Sequence, residues 1–342
     1  MINLAVVIPC YNEEEVLHNT CHRVIGVLRR LEKAGKIAGG SRIYLVDDGS
    51  KDRTWSIIET FSQSGMPVVG IKLSCNRGHQ NALLAGLFTA QGDAVVTIDA
   101  DLQDDLEVIE EMVDHNRRGS DIVYGVRRTR DKDSFFKRFT AESFYRLMSC
   151  MGARTLMNHA DYRLMSRRAI EALSQYKEVN LFLRGMVPLI GLPSSIVYYE
   201  RAPRAAGESK YPLKRMCALA LDGITSFSVV PLRIISLIGF LVFLLTLVMS
   251  AWILWVKMFT DQAIPGWASV LLPVYFLGGI QLLCLGVIGE YVGKLYAESK
   301  GRPRYIIEKI SPEVGMPARL EQIVPLVVHA DDTLPEGVVS AR

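Results

Sequence analysis

The chain has no CxxC pair, and its six cysteines (Cys10, Cys21, Cys75, Cys150, Cys217 and Cys284) are scattered without a histidine at ligand spacing. That excludes a disulfide framework and a zinc site, and a reducing compartment fits best. There is no G-x-G-x-x-G and no G-x-x-x-x-G-K-[ST], so neither a dinucleotide fingerprint nor a P-loop is available to hold phosphates. Net charge is small, +3, too little to argue for nucleic acid as a partner. The opening MINLAVVIPCYNEEE has no basic leader region and its apolar run is too short for a signal peptide, so it reads as a first strand. No internal repeat or low-complexity tract is seen. What the chain has in quantity is apolar residues, 49% of 342, beside 22% charged ones. That mixture points to a soluble part joined to a membrane part.

Strand and helix signals alternate over the first 125 residues. NLAVVIPCY reads as a short strand and EEEVLHNTCHRVIGVLRRLEKAG as the helix after it. RIYLVDDGS is a second strand, with Ser50 and Asp52 placed to cap the helix RTWSIIETFSQ. PVVGIKLS is a third, followed by the helix HQNALLAGLFTAQG, ended by Gly92. DAVVTIDAD is a fourth, LEVIEEMVDHNRRG its helix, and DIVYGVR a fifth. The strand interiors are nearly continuous in apolar residues, as expected where helices cover both faces. The fold class is therefore α/β, a doubly wound and mostly parallel sheet. In such sheets ligands sit beyond the carboxyl ends of the strands, where the polar clusters PCYNEEE, VDDGSKD, SCNRGHQN and DADLQDD fall.

In VVTIDADLQDD, Asp99 and Asp101 stand one residue apart at the end of an apolar run. On a strand, residues i and i+2 point to the same side, so two like charges would be forced together. A solvated turn is one reading, since Asp is common after strands. A divalent-metal site is the other, since hard cations prefer carboxylate oxygens and bridge to a substrate's phosphates.

The order of VVIPCYNEEE, LVDDGSKD and DADLQDD resembles the family 2 glycosyltransferases, whose GT-A domain binds a nucleotide-sugar. The resemblance implies that Pro9, Tyr11, Glu13 and Asp48 line the nucleotide pocket. It also implies that Asp99 and Asp101 form a DxD motif holding Mg²⁺ or Mn²⁺ on the diphosphate, with Gln103 close by.

Ile234 to Val256 is a run of 23 residues without a charge, about 34 Å as a helix and enough for a hydrocarbon core of about 30 Å. Gly266 to Gly289 is a second such run, with Pro273 as a kink site and Trp252, Trp255 and Trp267 near one boundary. Lys210, Lys214, Arg215 and Arg233 flank one side and Lys294, Lys300, Arg302 and Arg304 the other, whereas the linker KMFTDQAIP has one Lys and one Asp. The positive-inside rule then places both termini in the cytoplasm and the protein in the cytoplasmic membrane as a multi-pass chain. FFKRFTAESFYRLMSCM and YPLKRMCALALDGITSF carry apolar residues at helical spacing with basic residues between them. Core helices share that periodicity, but basic and aromatic residues beside a span favour helices lying on an anionic membrane surface. The expected organisation is a catalytic domain over 1–230 with interfacial helices at about 134–151 and 211–228, a two-helix membrane region over 231–296, and a tail over 297–342.

Both halves together resemble the polyprenyl-phosphate glycosyltransferases, the branch of dolichol-phosphate mannose synthases and bactoprenol glucosyltransferases. NRGHQNALLAGL, HADYRLMSR, NLFLRGM, GESKYPLKR, DGITSFSVVPLR and GEYVGKLYAESKGRPRY extend the resemblance to about Ile307. It implies inverting transfer from UDP-glucose to undecaprenyl phosphate, and a homo-oligomer, a tetramer. GDP-mannose and UDP-N-acetylglucosamine are the alternative donors. Arg127, Arg138 and the neighbouring Lys137 are its acceptor-phosphate cations, Ser209 and Lys210 close a lid on the phosphates, and Asp161 takes the catalytic carboxylate's position. Asp161 could instead cap a helix. A processive polysaccharide synthase is disfavoured because no Trp lies between Trp55 and Trp252 to supply QxxRW. A non-catalytic membrane scaffold is the reading from another class, against which the complete DxD and Asp161 argue.

Overall fold

The computed structural model describes residues 1–128, 159–179, 181–200 and 267–311, with helical positions scattered between 232 and 259. Strands form where the apolar runs predict them: β1 (Leu4–Cys10), β2 (Arg42–Asp47), β3 (Val68–Leu73), β4 (Ala94–Thr97) and β5 (Ile122–Arg127). Between them run α1 (Leu17–Lys33), α2 (Thr54–Gln63), α3 (His79–Thr89) and α4 (Val108–Arg117). Alternate residues of β1 serve different layers. Leu4, Val6 and Ile8 share a core with Leu17, Val24 and Leu28 of α1, while Val7 faces Gly86 of α3. A Cβ on Gly86 would stand 2.3 Å from Val7 Cγ1 and 2.9 Å from Val46 Cγ2, so glycine there lets the helix lie directly on the sheet.

Several boundaries differ from the sequence reading. α1 begins at Leu17 because the acidic stretch before it is tied into a turn: Glu13 N–H donates to Thr54 Oγ1 (2.9 Å) and Glu14 N–H to Asp52 Oδ2 (3.2 Å). Asp52 does serve the start of α2, accepting from Thr54 N–H at 3.0 Å, but Ser50 turns away and accepts from Asn12 N–H. α3 stops at Thr89, with Ala90 already extended, short of Gly92.

The sheet is mixed. Its order is β7-β5-β6-β4-β1-β2-β3-β8, where β6 is His159–Ser166, β7 is Ser194–Tyr199 and β8 is Ile307–Ser311. Four of its seven strand pairings among the described residues are parallel, and the three that involve β6 and β8 are antiparallel. β6 enters antiparallel between β4 and β5, so the beginning of β6 lies at the carboxyl edge of its neighbours. After it come α5 (Arg167–Ser174) and α6 (Leu183–Leu189). β8 closes the other edge, antiparallel to β3. Ile307 is fully buried, and the Ser62 and Ser311 hydroxyls share a buried hydrogen bond of 2.9 Å.

The chain divides into two compact units, Met1–Lys132 with Leu156–Ser209 and Arg302–Arg342, and Asp133–Thr155 with Lys210–Gly301. In the second unit α7 (Trp267–Ser299) takes up the second apolar run and exposes Val270, Val274, Leu285 and Ile288. Described positions of the first run, from Leu237 to Trp255, are helical as well, and all but half-buried Val242 are exposed. Over the described residues alone, which sample these runs in part, no helix is long and apolar enough to cross a membrane. The two interfacial helices lie outside the described residues.

Candidate active site

The first three strands bring their polar clusters together through backbone–side-chain bonds. Asn12, in the left-handed region at φ 54°, accepts from Lys51 N–H at 2.9 Å while its own N–H reaches Ser50. Gly49 (φ +67°) allows the turn after β2 to touch the loop after β3, where a Cβ would stand 2.6 Å from Asn76 N. Asp48, buried at this junction, accepts from Arg77 N–H (2.7 Å) and Gly78 N–H (2.9 Å). Burial pushes its carboxyl up, and those two donors partly offset the rise. Asp48 thus spends its oxygens on fixing the loop that leads into His79. Of the other residues assigned to a nucleotide pocket, Pro9 is buried within β1, Tyr11 is exposed just past it, and Glu13 lies in the turn before α1.

Asp99 and Asp101 are not on a strand, because β4 ends at Thr97. They stand in the turn that follows, so strand alternation does not set their direction. Gln103 N–H donates to Asp101 Oδ1 at 3.2 Å, and Leu102 between them is left-handed at φ 54°. Burial, followed by Asp104, Asp161 and Asp101, pushes the Asp99 carboxyl up to about 6, against the opposing pull of His79. Gln103 is buried with its Oε1 unpaired among the described residues.

Asp161 reaches the same edge because β6 is antiparallel. Thr97 pairs with Arg163 across β4 and β6, and the Thr97 hydroxyl donates to the Asp161 carbonyl. Asp161 is therefore a strand residue and not a helix cap. Ser166 caps α5 instead, accepting from Ala169 N–H at 3.1 Å. The Asp161 carboxylate accepts from Arg163 NH2 at 2.6 Å and from Arg184 NH2 at 3.0 Å. Burial would raise its pKa, but the two guanidiniums outweigh burial and hold it well below the usual carboxylate range. His79 Nε2 lies 3.7 Å from Asp161 Oδ2 and 3.6 Å from Asp99 Oδ1, within ion-pair reach of both. Gln80 Oε1 accepts from Leu183 N–H at 2.8 Å, which joins the start of α3 to the start of α6 and so places Arg184.

His79, Arg163 and Arg184 are functional candidates that the sequence reading did not single out. Arg163 had a legible signal, since it stands at i+2 from Asp161 and so on the same side of a strand. Arg184, in NLFLRGM, and His79, in NRGHQN, had none beyond their motifs. Arg127 ends β5, and its Nε donates to the Tyr199 hydroxyl at 3.1 Å. Lys137, Arg138, Ser209 and Lys210 lie outside the described residues.

The donor set around Asp99 fits a hard divalent cation: two carboxylates of one turn, one of them held up in pKa by its buried acidic surroundings. Among the described residues no group of three or more His, Cys, Asp or Glu is arranged to hold an ion. Two carboxylates leave most of an octahedral shell to water and a substrate's phosphates, as Mg²⁺ usually has it.

The profile of "Glycosyl transferase family 2" matches residues 5–174. The "Uncharacterized glycosyltransferase YkoT" of Bacillus subtilis is 50% identical over 89% of this chain and 91% of its own length. The "Prophage bactoprenol glucosyl transferase homolog" of Escherichia coli is 39% identical over 90% of this chain and 99% of its own. Among solved structures, that of Staphylococcus aureus TarS 1–349 in complex with UDP-GlcNAc is similar at TM-score 0.43 and 15% identity, over 66% of each chain. That likeness is too loose to argue from.

Proposed function

The chain belongs to glycosyl transferase family 2, and on that premise we propose that it transfers glucose from UDP-glucose to a polyprenyl phosphate at the cytoplasmic face of a membrane. The observation that carries the reading is the edge constellation, in which His79 stands between the Asp99 of the DxD turn and an Asp161 held by two arginines. The full-length similarity to a bactoprenol glucosyl transferase homologue supports the choice of donor and acceptor.

An oxygen of the lipid phosphate forms the new bond to the sugar's anomeric carbon as the bond to UDP breaks on the opposite face, with inversion. A phosphate monoester loses its second proton near pH ~6, so at pH 7 the nucleophile is largely formed without a base. Asp161 is a poor base in any case, since its arginine partners favour the ionised form. Its role in this reading is to orient the sugar and to offset positive charge at the anomeric carbon. Asp99 and Asp101 would hold Mg²⁺ or Mn²⁺, which neutralises charge on the leaving diphosphate. Arg127 is the described cation for the acceptor phosphate, and Arg138, Lys137, Ser209 and Lys210 complete that set on the resemblance alone.

The membrane part of the proposal has support from topology. β8 follows the second apolar run yet pairs with β3, so chain from before the first run and after the second lies in one sheet. The number of crossings between them must then be even, as two spans with both flanks cytoplasmic require. α7, 33 residues long, would rise about 50 Å, more than a hydrocarbon core of about 30 Å. A homo-oligomer, a tetramer, is proposed on resemblance.

The test is transfer by purified protein to undecaprenyl phosphate with Mg²⁺ and labelled UDP-glucose, UDP-N-acetylglucosamine or GDP-mannose. Labelled lipid is expected from UDP-glucose. Label from GDP-mannose alone would replace the donor, and no label from any of them would leave the scaffold reading in its place.

A further inference from the structure

Arg127 stands at the outer limit of an ion pair with a buried carboxylate, too far for a hydrogen bond between them. Its NH2 is 3.9 Å from Asp104 Oδ1, beyond hydrogen-bond range, although Asp104 is 5% exposed and a close, hydrogen-bonded ion pair would relieve both. The Tyr199 hydroxyl takes that place. It donates to Asp104 Oδ1 at 2.6 Å and accepts from Arg127 Nε at 3.1 Å. Tyr199 is itself fixed from three sides. It is 2% exposed, stands opposite Arg127 in the β5–β7 register, and meets the Tyr162 ring edge-on at 5.2 Å. Tyr162 in turn donates to the Asp105 carbonyl at 2.9 Å, anchoring the same acidic turn. Burial and the Asp104 carboxylate push the Tyr199 hydroxyl well above its ordinary pKa, so it keeps the proton it donates.

We propose that Tyr199 is a positioning residue, whose hydroxyl holds the Arg127 guanidinium by one nitrogen and keeps it from collapsing onto Asp104, so that its terminal N–H groups stay available to the acceptor phosphate. The inference rests on the reading of Arg127 as an acceptor-phosphate cation. A guanidinium has five donors in a fixed fork, and with Nε spent on Tyr199 the terminal edge remains. Without the hydroxyl, the carboxylate within reach of that edge among the described residues is Asp104.

The test compares KM for undecaprenyl phosphate in detergent with KM for the nucleotide-sugar in Tyr199→Phe, Arg127→Ala and the Tyr199→Phe/Asp104→Asn double variant. Tyr199→Phe keeps the ring and its packing on Tyr162. It is expected to raise the acceptor KM about tenfold, the size of one lost hydrogen bond to a charged group, with the donor KM unchanged. In the double variant the carboxylate that would capture Arg127 is gone, and the acceptor KM should fall back toward wild type. A merely structural role for Tyr199 would move both KM values and would not be rescued by Asp104→Asn. If Arg127→Ala raises the acceptor KM but Tyr199→Phe does not, the positioning role is wrong while the reading of Arg127 stands. If Arg127→Ala leaves the acceptor KM unchanged, that reading fails and the inference with it.

Discussion

Asp161 carries a charge that its surroundings make hard to remove. Arg163, 2% exposed, and Arg184 both hold its carboxylate, and its folded pKa lies below that of an unfolded aspartate, about 3.9. The sign follows: its stabilising contribution is present above pH ~4 and is lost only as the pH falls through the depressed value. Asp161→Asn should therefore lower stability at neutral pH, by about 3–5 kcal/mol if Arg163 is left as a buried charge without a partner. The difference from wild type in urea unfolding should shrink only in strong acid. Assayed below its melting temperature, the variant should bind Mg²⁺–UDP-sugar normally and turn over at least about 100-fold slower. Because the acceptor is fully ionised at pH 8.5, the defect should persist there, and recovery of rate at that pH would show that Asp161 acts only as a base. For the DxD turn, Asp101→Ala should abolish turnover and most affinity for the nucleotide-sugar in a filter-binding assay, with Asp99→Ala similar or milder. Full activity in excess EDTA would end the metal role.

At the scale of elements, β8 extends the sheet where an unpaired β3 would otherwise present an edge. Its contacts reach well beyond the ladder: Lys309 pairs with Glu59 at 2.7 Å, Lys72 with Glu308 at 2.7 Å, and Ser74 N–H donates to the Ile306 carbonyl at 3.0 Å. The two ion pairs are partly exposed and count for little. Fully buried Ile307 counts for more, and Ile307→Ala should cost about 2–5 kcal/mol. A chain ending after Ser311 should melt like the full-length protein in detergent, whereas one ending after Gly301 should melt several degrees lower or fail to accumulate. Equal melting of the two would show that β8 adds nothing to the sheet.

For the whole molecule the prediction is topological. With two crossings, the linker from Lys257 to Pro265 is the part exposed outside, and everything in the sheet is inside. A cysteine at Thr260 should react with an impermeant thiol reagent on intact cells or spheroplasts, and one at Glu308 should not. Glu308 is the better inside reporter because its side chain is 48% exposed, whereas Ser311 is buried. Labelling at Glu308 but not at Thr260 would invert the orientation.

The sequence by itself determined what local pattern can carry. Five apolar runs gave β1 to β5, because burial on both faces leaves a continuous hydrophobic signature, and the polar clusters after them located the site edge. Asp99, Asp101 and Asp161 stand out as candidates from motif position, and the structure brings Asp99 and Asp161 within reach of one histidine, His79. Tertiary structure alone decided which strands are neighbours. β6 lies between β4 and β5, and β8 beside β3, because pairing between segments far apart in the chain depends on which edges remain open, and side-chain periodicity encodes the face of a strand and not its neighbour. From that placement come the facts no pattern held: Asp161 joined to Arg184, His79 between two carboxylates, Asp48 turned to the backbone of its neighbouring loop, and Tyr199 between Arg127 and Asp104. Each is a contact between groups from different elements of the fold, and charge and hydrogen bonding act through distances that only the folded structure sets.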